Sequence, residues 1–262
     1  MTKTILITGS TDGIGLLTAK KLVAGGHNVL LHGRSVAKLH AVATEIGGAV
    51  ETFTADLSHL SAVKALAADI RAKHDTLDVL INNAGVLKTP HPVLESGLDI
   101  RFVVNTFAPY LLTDLLLPII PKDGRIVNLS SAAQASVNLD AMQGNVRLSD
   151  MDAYAQSKLA ITIWTREWAK VLPDGPAIIA VNPGSLLASK MVKEGFGVAG
   201  SDLSIGADIL IEAALGERFT DASGKYFDND SGTFANPHSA ALNAVHADEV
   251  MQTIKTFVRQ HN

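Results

Sequence analysis

The chain has 262 residues, of which 47% are hydrophobic and 18% charged, and its net charge is −4. This composition is typical of a folded globular protein and argues against disorder, and without a block of basic residues it gives no basis for nucleic-acid binding. The absence of cysteine excludes disulfides, iron–sulfur clusters and thiolate zinc sites, and it fits a reducing compartment.

The apolar segments predict a soluble chain. Residues 4–8 are too few for the hydrophobic region of a signal peptide, and no small-residue cleavage site accompanies them. Residues 111–120 are more apolar, but Asp114 and Pro118 interrupt them and the segment is shorter than a membrane span. We therefore expect a cytoplasmic protein that is not inserted in a membrane.

The N-terminal segment predicts a dinucleotide-binding turn. Residues 4–8 form a β-branched apolar strand, residues 16–24 have a helical pattern, and Gly9, Gly13 and Gly15 lie between them. We expect Gly9 to turn the chain sharply, Gly13 to let the backbone approach a pyrophosphate, and Gly15 to let the helix pack on the strand. A glycine-rich turn without a ligand is the plainer alternative.

The end of the second predicted strand indicates the type of cofactor. That strand, residues 28–32, is followed by Arg34 and Ser35, where many NAD enzymes have an acidic residue for the ribose 2′-hydroxyl. Arg34 offers a planar cation suited to a 2′-phosphate, and Ser35 adds a hydroxyl. A solvated arginine at a strand end is the alternative. We expect NADP (NADPH) to be preferred, with NAD still open.

The third and fourth predicted strands bring more candidates to the same edge. Asp56 and Leu57 follow the third strand, residues 50–54, and Asp56 is expected to accept from an adenine amino group, to cap the helix of residues 58–73, or both. The fourth strand, residues 77–81, precedes Asn82, Asn83, Ala84 and Gly85. Such residues let the chain pass close to a flat cofactor, or simply make a turn.

Asn105 and a serine pair lie in the middle of the chain. Asn105 is inside a long predicted helix, residues 96–119, where an amide is unfavourable and, if buried, needs partners. The fifth strand, residues 124–129, ends at Ser130 and Ser131. Residues 132–152 lack periodicity and are expected to line a pocket, or to form a surface insertion.

Tyr154 and Lys158 lie four residues apart in the next predicted helix, residues 154–168, and so share one face. A phenol is a poor catalyst at neutral pH, but a fixed ammonium beside it favours the phenolate and lowers its pKa. The pair could then move a proton to or from an oxygen. Tyrosine and lysine at this spacing also occur by chance, so the pattern alone is weak.

The remaining elements complete one alternating α/β chain. They are a strand at 177–181 followed by Pro183 and Gly184, a helix at 205–215, a strand-like segment at 224–227 and a helix at 248–259. Residues 186–200 contain apolar side chains and glycines that suit a mobile lid, with a disordered loop as the alternative. We expect a single doubly wound domain over residues 1–262 with a parallel sheet.

Two other kinds of site are set aside. The nine histidines form no His-Glu-x-x-His motif, so no metal site is expected. The Gly-x-Ser-x-Gly elbow of serine hydrolases is absent around Ser130 and Ser131, which argues against a Ser-His-Asp triad.

The motifs, taken in chain order, resemble those of the short-chain dehydrogenase/reductase family in its single-domain classical type. They are the glycine turn, the segment of residues 82–85, Asn105, Ser131, Tyr154 with Lys158, and the Pro-Gly pair. The resemblance covers nearly the whole chain. The long interval between Ser131 and Tyr154 is similar to the retinol-dehydrogenase-like branch. What it implies is a Rossmann fold of about seven parallel strands with helices on both faces, and an oxidoreductase that interconverts an alcohol and a ketone or aldehyde.

The resemblance also implies the roles of single residues. Tyr154 would be the general acid/base, Lys158 would lower its pKa and bind the nicotinamide ribose, Ser131 would hydrogen-bond the substrate oxygen, and Asn105 would hold a water in a relay to Lys158. The positions that would bind the cofactor are Gly9, Ser10, Thr11, Asp12, Gly13, Ile14, Gly15, Arg34, Ser35, Asp56, Leu57, Asn83, Ala84, Gly85, Tyr154, Lys158, Pro183 and Gly184. One departure is Ala188-Ser189, where the family often has a threonine that contacts the carboxamide.

The substrate is expected to be a small molecule, and the candidate lining is mostly apolar: Val86, Leu87, Ala133, Val137, Met142, Met191 and Phe196. A hydrophobic alcohol or carbonyl compound is therefore favoured. Two alternatives are a catalytically silent NADP-binding regulatory or scaffold protein and a reductase of activated C=C bonds. Homodimers and homotetramers are both open.

Overall fold

Eight strands form one sheet at the centre of the molecule, in the order β3-β2-β1-β4-β5-β6-β7-β8. The computed structural model describes residues 1–188, 191, 193, 197 and 199–260. The strands are β1 Thr4–Ile7, β2 Asn28–Gly33, β3 Val50–Thr54, β4 Val79–Asn82, β5 Arg125–Leu129, β6 Ala177–Asn182, β7 Tyr226–Asp228 and β8 Thr233–Ala235. β1 to β7 are parallel, and β8 pairs with β7 in antiparallel orientation.

The helices cover both faces of this sheet. They are α1 Gly13–Ala24, α2 Val36–Ile46, α3 Leu60–Lys73, α4 Ile100–Ile119, α5 Leu139–Met142, α6 Asp150–Val171, α7 Leu203–Leu215 and α8 Ala244–Gln260. One core cluster joins the sheet to α1, α2 and α7, and a second joins it to α3, α4, α6 and α8. The sheet is buried on both sides, which explains the continuous apolar strands of the sequence.

The fold class predicted from the sequence is confirmed, and the strand count of about seven is close to the eight observed. The additional strand is β8, which has three residues with largely exposed side chains. So short an exposed segment has no hydrophobic alternation by which sequence could reveal it.

Several predicted helix starts are wrong by two to four residues. The helix expected from residue 96 begins at Ile100, since Asp99 is its N-cap and accepts from the N–H of Arg101. The helix containing Tyr154 begins earlier than expected, at Asp150, because Ser149 caps it. The helix expected from residue 58 begins at Leu60. The helix over residues 36–46 is confirmed at both ends.

Helix α4 is the most apolar helix near the centre of the chain. It has 20 residues, and its most apolar window of 18 residues has a mean hydropathy of 1.5, so by length and composition alone it could cross a membrane. In the fold, 72% of its most apolar window is buried, and its side chains belong to the core cluster beneath the sheet. Packing inside the protein therefore accounts for its composition.

Candidate active site

The glycine turn joins the carboxyl end of β1 to the first turn of α1. Gly9 and Gly13 have φ angles of +66° and +55°, a region that favours glycine. A Cβ on Gly15 would lie 2.4 Å from Nδ2 of Asn83, so a side chain there would collide. Asp12 caps α1 by accepting from the Gly13 N–H. The turn therefore presents close backbone and a helix N-terminus, which suit a pyrophosphate.

Asn83 fastens this turn to the end of β4. Its Nδ2 donates to the carbonyl oxygens of Thr8 at 2.8 Å and Gly9 at 3.0 Å. The hydroxyl oxygen of Thr8 accepts in return from the N–H groups of Asn83 and Ala84, both at 3.0 Å. The predicted segment that ends at Gly85 thus lies against the glycine turn, and the two strand ends form one surface.

His32 also supports the turn, although the sequence patterns did not single it out. The N–H of Gly9 donates to His32 Nδ1 at 3.1 Å, and His32 Nε2 lies 3.2 Å from the carbonyl oxygen of Ala55. A neutral ring with its proton on Nε2 satisfies both contacts. Burial lowers the pKa of His32 to about 4, so the ring is neutral at physiological pH.

The end of β2 provides the expected cation. Arg34 is exposed, and its described neighbourhood gives it a charge interaction with Asp56 but no hydrogen bond. Ser35 caps α2 by accepting from the N–H of Lys38 at 3.3 Å. Asp56 accepts from the N–H and hydroxyl of Ser58 at 2.9 and 2.7 Å, and these bonds help to lower its pKa against the effect of burial. The side chains of Ser35 and Asp56 therefore already have hydrogen-bond partners within the protein, whereas the guanidinium of Arg34 is available for an anion.

The other residues expected at the cofactor line or support this surface. Ser10 exchanges hydrogen bonds with the backbone of His32, and the Thr11 methyl lies 2.7 Å from where a Cβ on Gly33 would be. Ile14 contacts α7 near Gly206. Leu57 is different, because its side chain is buried in the core cluster and leaves only its backbone for a ligand. Taken together, the residues at this edge fit a dinucleotide.

Tyr154, Ser131 and Lys158 meet beside this surface. The hydroxyl of Ser131 lies near that of Tyr154 and acts to lower the pKa of the phenol. Lys158 is 4% exposed, its Nζ donates to the carbonyl oxygen of Leu129 at 2.7 Å, and it lies 5.6 Å from the centre of the Tyr154 ring. A Cβ on Gly85 would be 3.6 Å from the same Nζ. The side chains of Tyr154 and Ser131 can therefore both reach one substrate oxygen placed next to Gly85, with Lys158 beside them.

Burial decides the protonation of this group. Burial raises the pKa of Tyr154, and the neighbouring hydroxyl of Ser131 opposes this rise only in part. Burial also lowers the pKa of Lys158 to about 8. The expectation that the neighbouring ammonium holds the phenol pKa below its usual value is therefore not met in this structure, because loss of water around the phenol is the larger effect. Tyr154 is a neutral proton donor at pH 7.

The serine pair is divided between two tasks. Ser130 is buried, and its Oγ lies 2.6 Å from Oγ1 of Thr162 and donates to the carbonyl oxygen of Lys158 at 3.2 Å. Ser131 instead directs its hydroxyl to Tyr154. The first serine thus fastens β5 to α6, and the second is in reach of a substrate.

Asn105 lies in a π-helical stretch, Val103–Phe107, which accommodates it inside α4. Its Oδ1 accepts from the N–H of Val86 at 2.8 Å, and its Nδ2 donates to the carbonyl oxygen of Val86 and to Ser157 Oγ, both at 2.9 Å. The buried amide thus has the partners its position requires. It holds the chain after Gly85 against α6.

The turn between β7 and β8 holds the Pro-Gly segment after β6. Nδ2 of Asn229 donates to the carbonyl oxygen of Pro183 at 2.9 Å. Asp230 accepts from the N–H of Ser185 at 2.7 Å, from its hydroxyl at 2.5 Å and from Nδ2 of Asn182 at 2.9 Å. This turn was not predicted to take part in the site, since its contacts come from residues more than 40 positions away.

The candidate substrate lining is only partly correct. Val137 and Met142 are buried in the core cluster and expose almost no surface, so they lie behind the site. Met191 does face the site, with its methyl 3.7 Å from where a Cβ on Gly85 would be. Phe196 and Ser189 lie outside the described residues. The ends of the expected lid are joined by backbone hydrogen bonds between residues 186–188 and Ser201.

Arg101 is a second residue that sequence reasoning missed. It is 1% exposed and donates to both carboxylate oxygens of Asp99, at 2.7 and 2.5 Å, and to Asp150 in the first turn of α6. It therefore ties the start of α4 to the helix that carries Tyr154. Within the described ranges, no group of three or more His, Cys, Asp or Glu side chains could hold a metal ion.

Comparisons with known proteins agree with this geometry. A family model described as short chain dehydrogenase matches residues 3–196. The chain is 34% identical over 253 residues to retinol dehydrogenase 13 of Homo sapiens, covering 86% of this chain and 76% of that protein. It is 34% identical to retinol dehydrogenase 12 of Bos taurus, covering 90% and 81%. The solved structure of landomycin C-6 ketoreductase LanV with bound NADP and rabelomycin is 28% identical, with a TM-score of 0.69 and coverage of 88% and 96%.

Proposed function

Since the chain belongs to the short-chain dehydrogenase family and is an NAD(P)-dependent oxidoreductase, we propose that it interconverts a hydrophobic alcohol with its ketone or aldehyde and prefers NADP. The observation that carries the proposal is the closeness of the Tyr154 and Ser131 hydroxyls beside buried Lys158, at the sheet edge that bears the glycine turn. Alcohol and carbonyl chemistry is also the activity named for the retinol dehydrogenases it resembles.

In the direction of reduction, a C–H bond forms at the carbonyl carbon while the electron pair of the C=O π bond moves to oxygen. The nicotinamide, when bound, supplies the hydride. Tyr154 donates its phenol proton to that oxygen, and Ser131 stabilises the growing negative charge by a hydrogen bond. Because burial keeps the phenol protonated, Tyr154 is ready for this step at neutral pH.

Lys158 stabilises the tyrosinate that remains after proton transfer, since its ammonium lies close to the phenol ring. The same ammonium has further N–H groups that can bind the hydroxyls of the nicotinamide ribose. We propose that Asn105 holds a water in the path by which protons return through Lys158. The position of its Oδ1 supports this role, because a Cβ on Gly85 would lie 3.4 Å from that oxygen and 3.6 Å from Nζ of Lys158.

The preference for NADP is supported by Arg34. Its guanidinium lies at the end of β2, exposed and without a hydrogen bond in the described part of the chain, and suits the fork of a 2′-phosphate. An acidic residue that would bind a free 2′-hydroxyl is absent from residues 33–35. The similar ketoreductase LanV binds NADP in its structure.

The test is turnover of the purified chain on a panel of apolar alcohols, aldehydes and ketones, including retinaldehyde, followed at the nicotinamide absorbance. We expect carbonyl reduction with a higher kcat/KM for NADPH than for NADH on the same substrate. Tight NADPH binding without turnover would favour a regulatory binding protein instead. Products reduced at a C=C bond would favour the other alternative.

A further inference from the structure

The backbone carbonyl of Ser131 is held by two side chains. The hydroxyl of Tyr226 donates to it at 3.1 Å, and Nε2 of Gln134 donates at 2.9 Å. A carbonyl oxygen has two lone pairs, so both are used. Gln134 is itself fixed, because its Oε1 accepts from the N–H of His238 at 3.0 Å.

Tyr226 reaches Ser131 from the far side of β6. It lies on β7 opposite Ala180, and the next residue, Phe227, packs into the core cluster on the α1 face of the sheet. Since side chains alternate along a strand, Tyr226 extends on the α6 face, towards the end of β5. Its side chain is almost wholly enclosed, at 5% exposure, so its hydroxyl needs the partner it has found.

The hydroxyl of Ser131 is held as well as its carbonyl. Its Oγ accepts from the N–H of Ala133 at 3.1 Å and lies near the hydroxyl of Tyr154. With both ends fixed, Ser131 keeps one orientation relative to Tyr154. We propose that Tyr226, together with Gln134, is a positioning residue that fixes Ser131 in the orientation needed for catalysis, an inference that rests on the proposed function.

Tyr226 is suited to hold a carbonyl rather than to transfer protons. Burial and the carboxylates of Asp228 and Asp230 raise its pKa, so the phenol remains a donor across the neutral range. It does not contact Tyr154 in the described hydrogen bonds, and its effect on the reaction therefore passes through Ser131.

The test is a double-mutant cycle with Tyr226→Phe and Ser131→Ala, measured as kcat and KM on one carbonyl substrate with NADPH. Tyr226→Phe keeps the buried ring and removes the hydroxyl alone. We expect kcat to fall about tenfold or more, as misplacement of a reacting group does, with KM for NADPH unchanged. In the Ser131→Ala background, Tyr226→Phe should have no further effect on kcat. Gln134→Ala removes the second donor and should behave in the same way.

Tyr110→Phe is the matched control, since it removes the hydroxyl of another buried tyrosine outside the site, and its kcat should equal that of the wild type. Wild-type kcat in Tyr226→Phe, or the same loss in both serine backgrounds, would overturn the inference. Absence of turnover in the wild type, or full kcat in Ser131→Ala, would instead overturn the proposed function.

Discussion

The ammonium of Lys158 donates a 2.7 Å hydrogen bond to the carbonyl oxygen of Leu129, the last residue of β5. This bond fixes the lysine between the sheet and α6, close to the ring of Tyr154. Burying a charge there is unfavourable, and burial accordingly lowers the pKa of Lys158 to about 8. The buried position of Lys158 therefore lowers the stability of the protein, although it places the ammonium where the proposed reaction needs it.

Lys158→Met should make the protein more stable at pH 7 while it abolishes most activity. The folded pKa of about 8 lies below the ordinary value of 10.5, so the cost of the charge is fully present below pH 8 and disappears as pH rises towards 10.5. At about 1.4 kcal/mol per pKa unit the cost is roughly 3 kcal/mol, offset in the variant by about 1 kcal/mol for the unpaired Leu129 carbonyl.

The measurement is urea unfolding of both proteins at pH 7 and at pH 9.5. The stability advantage of the variant should shrink at the higher pH. Lys170→Met is the control, because it removes a lysine charge from the same helix at a position where the ammonium is exposed to water and carries no burial cost. A variant less stable than the wild type at both pH values would contradict the expected cost.

Acid should loosen the glycine turn through His32. Its folded pKa of about 4 lies below the ordinary 6.5, so the stability that the neutral ring contributes is complete above pH 6.5 and is lost as pH falls towards 4. The loss is roughly 3 kcal/mol. Unfolding free energies of wild type and His32→Gln, measured from pH 7 to 4, should converge as the pH falls. His40→Gln is an exposed control, and parallel curves for His32→Gln and wild type would count against this account.

Asn105→Ala should lower the free energy of unfolding by about 2–4 kcal/mol, because it leaves the part-buried N–H and carbonyl of Val86 without their partner and removes the buried bond that Ser157 Oγ accepts. Chemical denaturation at pH 7 measures the change. Asn145→Ala, at an exposed position, should differ from wild type by less than about 0.5 kcal/mol. A similar small effect for Asn105→Ala would show that the amide is dispensable for the fold.

Arg34→Ala should weaken binding of NADPH about tenfold or more, the worth of a charge-assisted hydrogen bond to phosphate, while the Kd for NADH stays the same. Fluorescence titration with each nucleotide measures both constants. Lys38→Ala, further along α2, controls for the loss of one positive charge near the site. An equal weakening for NADPH and NADH would assign Arg34 to some part of the nucleotide other than the 2′-phosphate.

The sequence predicts those parts of the site that follow from local pattern. Each of these motifs spans only a few residues: the glycine turn after β1, the segment ending at Gly85, and Tyr154 with Lys158. Their geometry follows from the periods of strands and helices and from the turns between them. The preference for Ser131 over Ser130 came from the family resemblance, and the structure separates the two hydroxyls by direction.

What the sequence does not predict depends on contacts between distant residues. His32 reaches Gly9 across 23 positions, and Tyr226 reaches Ser131 across 95. Arg101 follows the N-cap Asp99 by two residues, but its bond to Asp150 spans 49 positions. The protonation of Tyr154 is missed for the same reason, since the groups that desolvate its phenol are brought together only by the fold.

Replacement of Tyr154 by phenylalanine tests the central claim most directly. The measurement is kcat for carbonyl reduction with NADPH, together with the Kd of NADPH from a binding titration. Loss of the proton donor should lower kcat by about 10²- to 10⁴-fold, while the intact glycine turn and Arg34 leave NADPH binding nearly unchanged. A Tyr154→Phe variant that retains the kcat of the wild type would contradict the assignment of Tyr154 as the general acid/base.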